Sequence, residues 1–224
     1  MRGDKNITAN EVTLSDTEYE LIVEDINFRT YSNSKPKVIT VREGGNGKVT
    51  LSADKNILDT ITVTVDNNRI TVSGDRSKSY DASEFDLRVN GKVNAFSING
   101  GFELYMDSPS VDSFKGTVNG AVNADMAFGS LNSFSLTVNG ACNINLTGET
   151  ERSKIELNGA GNITAFDFHT VNSSIELNGA GKADVYVTDT LNVGMNGVGS
   201  VTYDGDPATV NRDSSSFLGT IKKR

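Results

Sequence analysis

The chain has 224 residues, a formal net charge of -8, 36% hydrophobic residues and 22 glycines, which fits a globular chain with a core of small aliphatic side chains. The acidic balance disfavours nucleic acid as a partner, because nucleic-acid binding draws on clustered Lys and Arg. One cysteine excludes an internal disulfide, and no apolar run reaches the roughly 18 residues of a transmembrane segment.

The first ninety residues contain short alternating segments that predict β-strands. Strands are expected at residues 21–23, 38–41 and 48–51. Residues 61–65 and 69–72 flank a polar turn at residues 66–68, and this arrangement predicts a pair of adjacent strands. A polar stretch at residues 76–83 predicts a loop. We therefore expect residues 1–85 to form irregular β coils that cap the exposed edge of the following unit.

From residue 98 onward, an apolar residue followed by Asn-Gly returns about every twenty residues. The six copies place asparagine at Asn99, Asn119, Asn139, Asn158, Asn178 and Asn196. Such a period is typical of a solenoid. Apolar residues alternate with polar ones on both sides of each Asn-Gly, and this period of two argues against helices. Each unit is therefore predicted to hold two short strands that meet at an Asn-Gly corner, where glycine accepts positive φ.

Stacked parallel coils explain why the corner stays in phase, whereas hairpins of an antiparallel sandwich would not repeat it at every second turn. We predict an all-β, parallel β-helix solenoid with about 20 residues per coil over residues 86–204 and a C-terminal cap over residues 205–224. The three parts would form one continuous structural domain. The six corner asparagines should stack as a ladder, since amides both donate and accept hydrogen bonds.

Several segments resemble the head GIN domain family of putative autotransporter adhesins. They are the apolar-Asn-Gly-Ala-Gly corners at residues 157–161 and 177–181, the final Val198-Gly199 copy leading into residues 203–207, and residues 66–72. The likeness covers roughly residues 10–224. It implies a right-handed parallel β-helix and a protein exported across the inner membrane of Bacteroidetes-like bacteria, often as a lipoprotein or surface protein. For function it implies adhesion only, and it transfers no site residue.

Export implies a location in the periplasm, on the outer-membrane surface or outside the cell. The polar start has no hydrophobic signal core, so we expect a targeting segment to have been removed. Three corners depart from the family's Gly-Xaa-Gly pattern, and their third residues are expected to point inward: Phe102, Val122 and Cys142. Cys142 is expected to be a buried structural thiol, and His169 in a connector is expected to be a surface residue.

A polysaccharide-active β-helix enzyme, a lyase or a glycosidase, is the alternative function. Glu156 and Glu176 share an outward column on adjacent coils, which predicts carboxyl groups about 5 Å apart, as in retaining glycosidases. Stacked carboxylates also suit a cation, and an exposed acidic column is most often a solvated face. We expect no catalytic residue, no resident metal and no cofactor.

An outward polar strip is the candidate ligand surface. It consists of Tyr105, Asn123, Asp125, Asn143, Asn145, Asn162 and Thr164. Regularly spaced amides suit repetitive ligands such as glycans, and the ring of Tyr105 can stack on a sugar. The leading hypothesis is a non-enzymatic cell-envelope adhesin whose partner is a glycan or a host or cell-surface protein. A structural module that forms homo-oligomers through a flat face is the third interpretation.

Overall fold

A computed structural model describes residues 1–15, 17–29, 35–45, 47–108, 110–213 and 219–224. Strand accounts for 78% of the described residues, so the all-β prediction is confirmed. The elements, in chain order, are β1 (Ile7–Thr13), β2 (Glu18–Glu24), β3 (Val38–Arg42), β4 (Lys48–Asp54), α1 (Lys55–Leu58), β5 (Thr62–Asp66), β6 (Arg69–Ser73), β7 (Phe85–Asn90), β8 (Lys92–Ser108), β9 (Ser113–Asp204), β10 (Thr209–Asp213) and β11 (Thr220–Lys223).

The short N-terminal strands form where alternate residues are apolar. In β2, Tyr19, Leu21 and Val23 are buried while their neighbours stay partly exposed, which is the period-two pattern of a strand with one face on the core. The strands predicted at residues 21–23, 38–41 and 48–51 lie within β2, β3 and β4. These predictions are confirmed.

The predicted strand pair around residues 66–68 is an antiparallel hairpin. Strands β5 and β6 pair with Asp66 opposite Arg69. The two residues between them, Asn67 and Asn68, have φ angles of 48° and 60°, the left-handed values that a two-residue hairpin turn requires at both central positions. Asparagine tolerates this geometry better than most residues, so the local sequence determines the turn.

The predicted right-handed parallel β-helix is wrong. The sheet is nearly closed into a barrel of mixed strand orientation. Parallel pairs join β2 to β6 and β8, and β3 to β7 and β8, but β4 runs antiparallel to both β1 and β7. The repeat begins only at residue 98, and the alternating patterns before it carry no signal for strand direction. The solenoid prediction therefore extended one regular pattern to a chain whose first strands pair differently.

The long strand β9 bends repeatedly, because its 92 residues would extend about 300 Å if straight. Its first part pairs in parallel with β8 at a shift of one repeat, so Asn99 lies opposite Asn119. At the corners, a Cβ added to Gly120 would collide with the Gly100 carbonyl oxygen, and one added to Gly140 with that of Gly120. Successive corners therefore stack backbone against backbone.

In the part of the chain that the structure describes, one hydrophobic cluster fills the interior from Leu14 to Ile221. Four phenylalanines form its centre in the second half: Phe114, Phe128, Phe134 and Phe168. The ring centroids of Phe134 and Phe168 lie 5.0 Å apart in an edge-on arrangement, which is favourable for aromatic pairs. Phe102, Val122 and Cys142 are 5%, 3% and 7% exposed, so these corner residues do point inward.

The C-terminal strands continue the same sheet. Strands β10 and β11 each pair in parallel with β9, at Leu191 and Val201 respectively. The division of the chain into residues 1–85, 86–204 and 205–224 stays a prediction.

Candidate functional site

The polar strip lies on the outer face of the strands that follow the corners. Strand register places Arg88, Thr40, Tyr105 and Asp125 side by side on β7, β3, β8 and β9. The Asn145 amide continues this row by donating a 2.7 Å hydrogen bond to the Asp125 carboxylate. All seven residues of the strip are exposed. The structure therefore brings them onto one face, and N-terminal strands extend that face beyond Tyr105.

Tyr105 separates two concavities on this face. One has a volume of about 420 Å³ and is lined by Asp125, Asn145 and Thr147 among others. The second has about 730 Å³ and is lined by residues of β3 and β7. Tyr105 and Arg42 line both, and the Tyr105 side chain is 44% exposed. An exposed ring flanked by hydrogen-bonding groups is the arrangement that stacks on one face of a flat ligand.

The larger concavity contains an unusual carboxylate. Arg88 donates two hydrogen bonds to Oδ2 of Asp86, at 2.9 Å from Nε and 2.6 Å from Nη2, and this pairing raises the pKa of Arg88. The other oxygen, Oδ1 of Asp86, is buried and has no hydrogen-bond partner among the described residues. Because Oδ1 is closed off from solvent, a ligand in this concavity would meet the Arg88 guanidinium, whose side chain is 64% exposed, rather than that oxygen.

The corner asparagines form a continuous hydrogen-bonded ladder. Each side-chain amide donates to the carbonyl oxygen of the preceding asparagine, from Asn119 to Asn99 at 2.7 Å through Asn196 to Asn178 at 3.0 Å. Every amide between the two ends is used as both donor and acceptor. The ladder therefore stabilises the stacked corners.

The two candidate glutamates have different surroundings. Glu156 accepts a 2.8 Å hydrogen bond from Asn158 and lies 4.0 Å from the ammonium of Lys154, so it belongs to the edge of the ladder. Glu176 lines a separate concavity of about 560 Å³ together with Asn178, Asn196 and Arg212 among others. This concavity lies apart from the polar strip.

The remaining reactive side chains are dispersed. Burial raises the pKa of Cys142 to about 11, so little reactive thiolate forms at neutral pH. His169 is exposed and its ring packs against that of Tyr186 at a tilt of 37°, with centroids 4.3 Å apart. Within the described ranges, no three His, Cys, Asp or Glu side chains are grouped to hold a metal ion. The same ranges contain no helix long and apolar enough to cross a membrane.

Sequence reasoning missed the N-terminal half of this surface. Arg42, Asp86 and Arg88 lie on strands β3 and β7, far from Tyr105 in sequence, and only the pairing of β3 between β7 and β8 brings them together. The one available signal was the alternation of charged with apolar residues in β7, which places Asp86 and Arg88 on one outer face.

Comparisons with known proteins identify a family and a set of similar folds. A family model described as "putative auto-transporter adhesin, head GIN domain" matches residues 27–207. The fold is similar to that of a putative adhesin from Bacteroides fragilis, with 18% identity, 100% of both chains covered and a TM-score of 0.79. It is also similar to a putative lipid binding protein from Parabacteroides distasonis, with 19% identity, 100% and 99% of the chains covered and a TM-score of 0.66. A putative adhesin from Parabacteroides merdae has 18% identity, coverage of 100% and 98%, and a TM-score of 0.62. No curated protein matches the chain.

Proposed function

Since the chain belongs to the putative auto-transporter adhesin, head GIN domain family, we propose that it is a non-enzymatic surface adhesin that holds a glycan against Tyr105. Family membership supports the adhesin class and is consistent with export. The observation that carries the glycan assignment is the exposed Tyr105 ring between two concavities that share Arg42.

The chemistry of the surface suits a sugar. A pyranose presents an apolar ring face and equatorial hydroxyls. The face can lie on the Tyr105 ring while hydroxyls reach the carboxylate of Asp125, the amide of Asn145 or the guanidinium of Arg88. Because Asn123, Asn143 and Asn162 recur at about the repeat spacing within β9, a chain of sugars would meet similar groups as it extends from Tyr105.

Catalysis at Glu156 and Glu176 has less support. Glu156 is already engaged with Asn158 and Lys154, and Glu176 faces a concavity lined by ladder asparagines. The adhesin family also favours a non-enzymatic role. We therefore assign both carboxylates to the structural surface of the sheet.

Replacing Tyr105 by alanine is expected to weaken glycan retention about tenfold, because central aromatic contacts commonly contribute more than about 1 kcal/mol to binding. Tyr105→Phe keeps the ring and is expected to retain most of the binding. Binding of the full chain and both variants to immobilised bacterial and host polysaccharides measures the effect. Equal retention by the wild type and Tyr105→Ala would move the binding site away from this face.

A further inference from the structure

A fourth concavity lies beside the first Asn-Gly corner and shares Lys35 and Pro36 with the larger concavity at Tyr105. Its volume is about 600 Å³, within the range of small-molecule sites. We call it the corner pocket and define it by Phe28, Arg29, Lys35, Lys37, Arg76 and Gly101.

Cations outnumber carboxylates in the lining of the corner pocket. Four of its lining side chains are Lys or Arg and one, Asp25, is acidic, although the whole chain carries a net charge of -8. Arg76 donates a 2.6 Å hydrogen bond to Asp25 and Lys35 lies 3.6 Å from Glu84, so two of the four cations are partly neutralised. Like charges gathered in a concavity repel one another, and they focus a positive potential that attracts anions.

Lys37 is the most constrained of these cations. It is only 8% exposed, its ammonium donates a 2.7 Å hydrogen bond to the Ala82 carbonyl oxygen, and it lies 5.4 Å from the centre of the Phe28 ring. Burial lowers the pKa of Lys37, and the nearby carboxylates of Asp54 and Asp81 partly oppose this. An ammonium has three donors, so the bond to Ala82 leaves capacity to bind an anion that enters the pocket.

The corner itself leaves space for a ligand. A Cβ added to Gly101 would meet no atom within 4 Å, whereas the next three corners carry Ala121, Ala141 and Ala160 at the same place. The missing methyl group leaves the pocket more open at this corner than a copy that carries alanine would. Lys35 and Pro36 line both the corner pocket and the larger concavity beside Tyr105, so one extended ligand can occupy both.

We propose that the corner pocket binds the anionic group, a carboxylate or a sulfate, of an acidic sugar within the glycan held at Tyr105. Arg29, Arg76 and Lys35 supply charge at the mouth, and Lys37 supplies it at the base. This inference rests on the proposed glycan-binding function and narrows its ligand to acidic polysaccharides such as polyuronates and sulfated galactans.

Calorimetric titration of the full chain tests the inference. The probes are oligogalacturonate, a sulfated galactan oligosaccharide, their uncharged counterparts, inorganic sulfate and inorganic phosphate. Acidic oligosaccharides are expected to bind at least about tenfold more tightly than neutral ones, since one charged hydrogen bond accounts for a factor of that size. The preference for acidic over neutral oligosaccharides should fall about tenfold in Arg76→Ala and in Lys37→Met. Gly101→Leu should block entry of the acidic sugar into the corner pocket.

Matched variants separate the pocket from general effects of charge and fold. Arg152→Ala removes a cation that lies outside the pocket and whose side chain is 64% exposed. This variant should keep the preference for acidic oligosaccharides. Gly101→Ala introduces the residue of the neighbouring corners and should preserve the fold. Circular dichroism spectra and melting temperatures identify any variant whose lost binding reflects unfolding.

Each other outcome overturns a defined part of the proposals. Equal binding of acidic and neutral sugars, unchanged in the pocket variants, would overturn the acidic-sugar site and leave the Tyr105 surface standing. Inorganic sulfate or phosphate binding as tightly as the oligosaccharides would overturn the assignment to a sugar. If acidic sugars bind Tyr105→Ala as tightly as the wild type but do not bind the pocket variants, the corner pocket is supported and the Tyr105 surface is overturned.

Discussion

Replacing Gly140 by alanine is expected to destabilise the protein by about 3 kcal/mol, the combined size of a strained left-handed residue and an overpacked contact. Gly140 has a φ of 147°, and an added Cβ would collide with the carbonyl oxygen of Gly120 in the preceding corner. The clash involves two backbone segments, so no side-chain rotation relieves it. Urea unfolding followed by circular dichroism measures the loss.

Gly194→Ala is the matched control for this substitution. Gly194 also lies in β9, but the nearest atom to its added Cβ is the Glu176 Cγ at 3.8 Å, an ordinary contact. Alanine there is expected to change the free energy of unfolding by less than about 1 kcal/mol, with a stabilising sign if unfolded-state entropy dominates. Similar losses in Gly140→Ala and Gly194→Ala would contradict the backbone stacking of the corners.

Replacing Asp54 by alanine is expected to cost about 3 kcal/mol, because several donors lose one shared buried acceptor. Asp54 is 0% exposed and accepts hydrogen bonds from the Ser83 amide at 2.7 Å, the Ser83 hydroxyl at 2.6 Å and the Lys5 amide at 2.8 Å. One carboxylate thus ties the N-terminal segment and the segment before β7 to the end of β4. Thermal and urea unfolding of the variant measure the loss.

Asp54 also gives the stability a defined acid dependence. Burial alone would raise the pKa of Asp54, but the hydrogen bonds donated by Ser83 and Lys5 outweigh it and lower the pKa. A carboxyl group with a lowered folded-state pKa contributes stability above its unfolded value of about 3.9 and loses that contribution as the pH falls through the folded value. The wild type should therefore lose more stability below about pH 4 than Asp54→Ala does.

Asp59→Ala is the control for both effects. Asp59 lies 3.2 Å from Lys55 in an ion pair whose carboxylate side chain is 60% exposed, and such pairs contribute less than about 1 kcal/mol. The variant should unfold close to the wild type at neutral pH and keep the wild-type acid response. If Asp59→Ala lost as much stability as Asp54→Ala and showed the same change in acid response, the role assigned to the buried Asp54 carboxylate would be contradicted.

Local sequence patterns predicted the parts of this fold that depend on near neighbours. Alternation identified β2, β3 and β4, and the polar turn identified the β5–β6 hairpin, whose two asparagines supply the required positive φ. The repeated apolar-Asn-Gly corner identified the inward positions of Phe102, Val122 and Cys142. In each case the determining interaction lies within one strand, one turn or one repeat.

The parts that failed depend on pairing between distant strands. The amino acids of β4 would suit either direction of pairing, and its antiparallel contacts with β1 and β7 arise only in the assembled sheet. The insertion of β3 between β7 and β8 likewise brings Arg42 beside Tyr105 without any local signal. Half of the candidate surface, and the corner pocket with Lys37, therefore could not be predicted from sequence spacing.

The most direct test of the central claim is to incubate the purified chain with a panel of bacterial and host polysaccharides and measure retention and product release together. A non-enzymatic adhesin is expected to be retained on one or more acidic polysaccharides without forming new reducing ends or unsaturated termini. Release of such products by the wild type, abolished in Glu156→Gln, would contradict the adhesin assignment and place an active site on the Glu156 and Glu176 column.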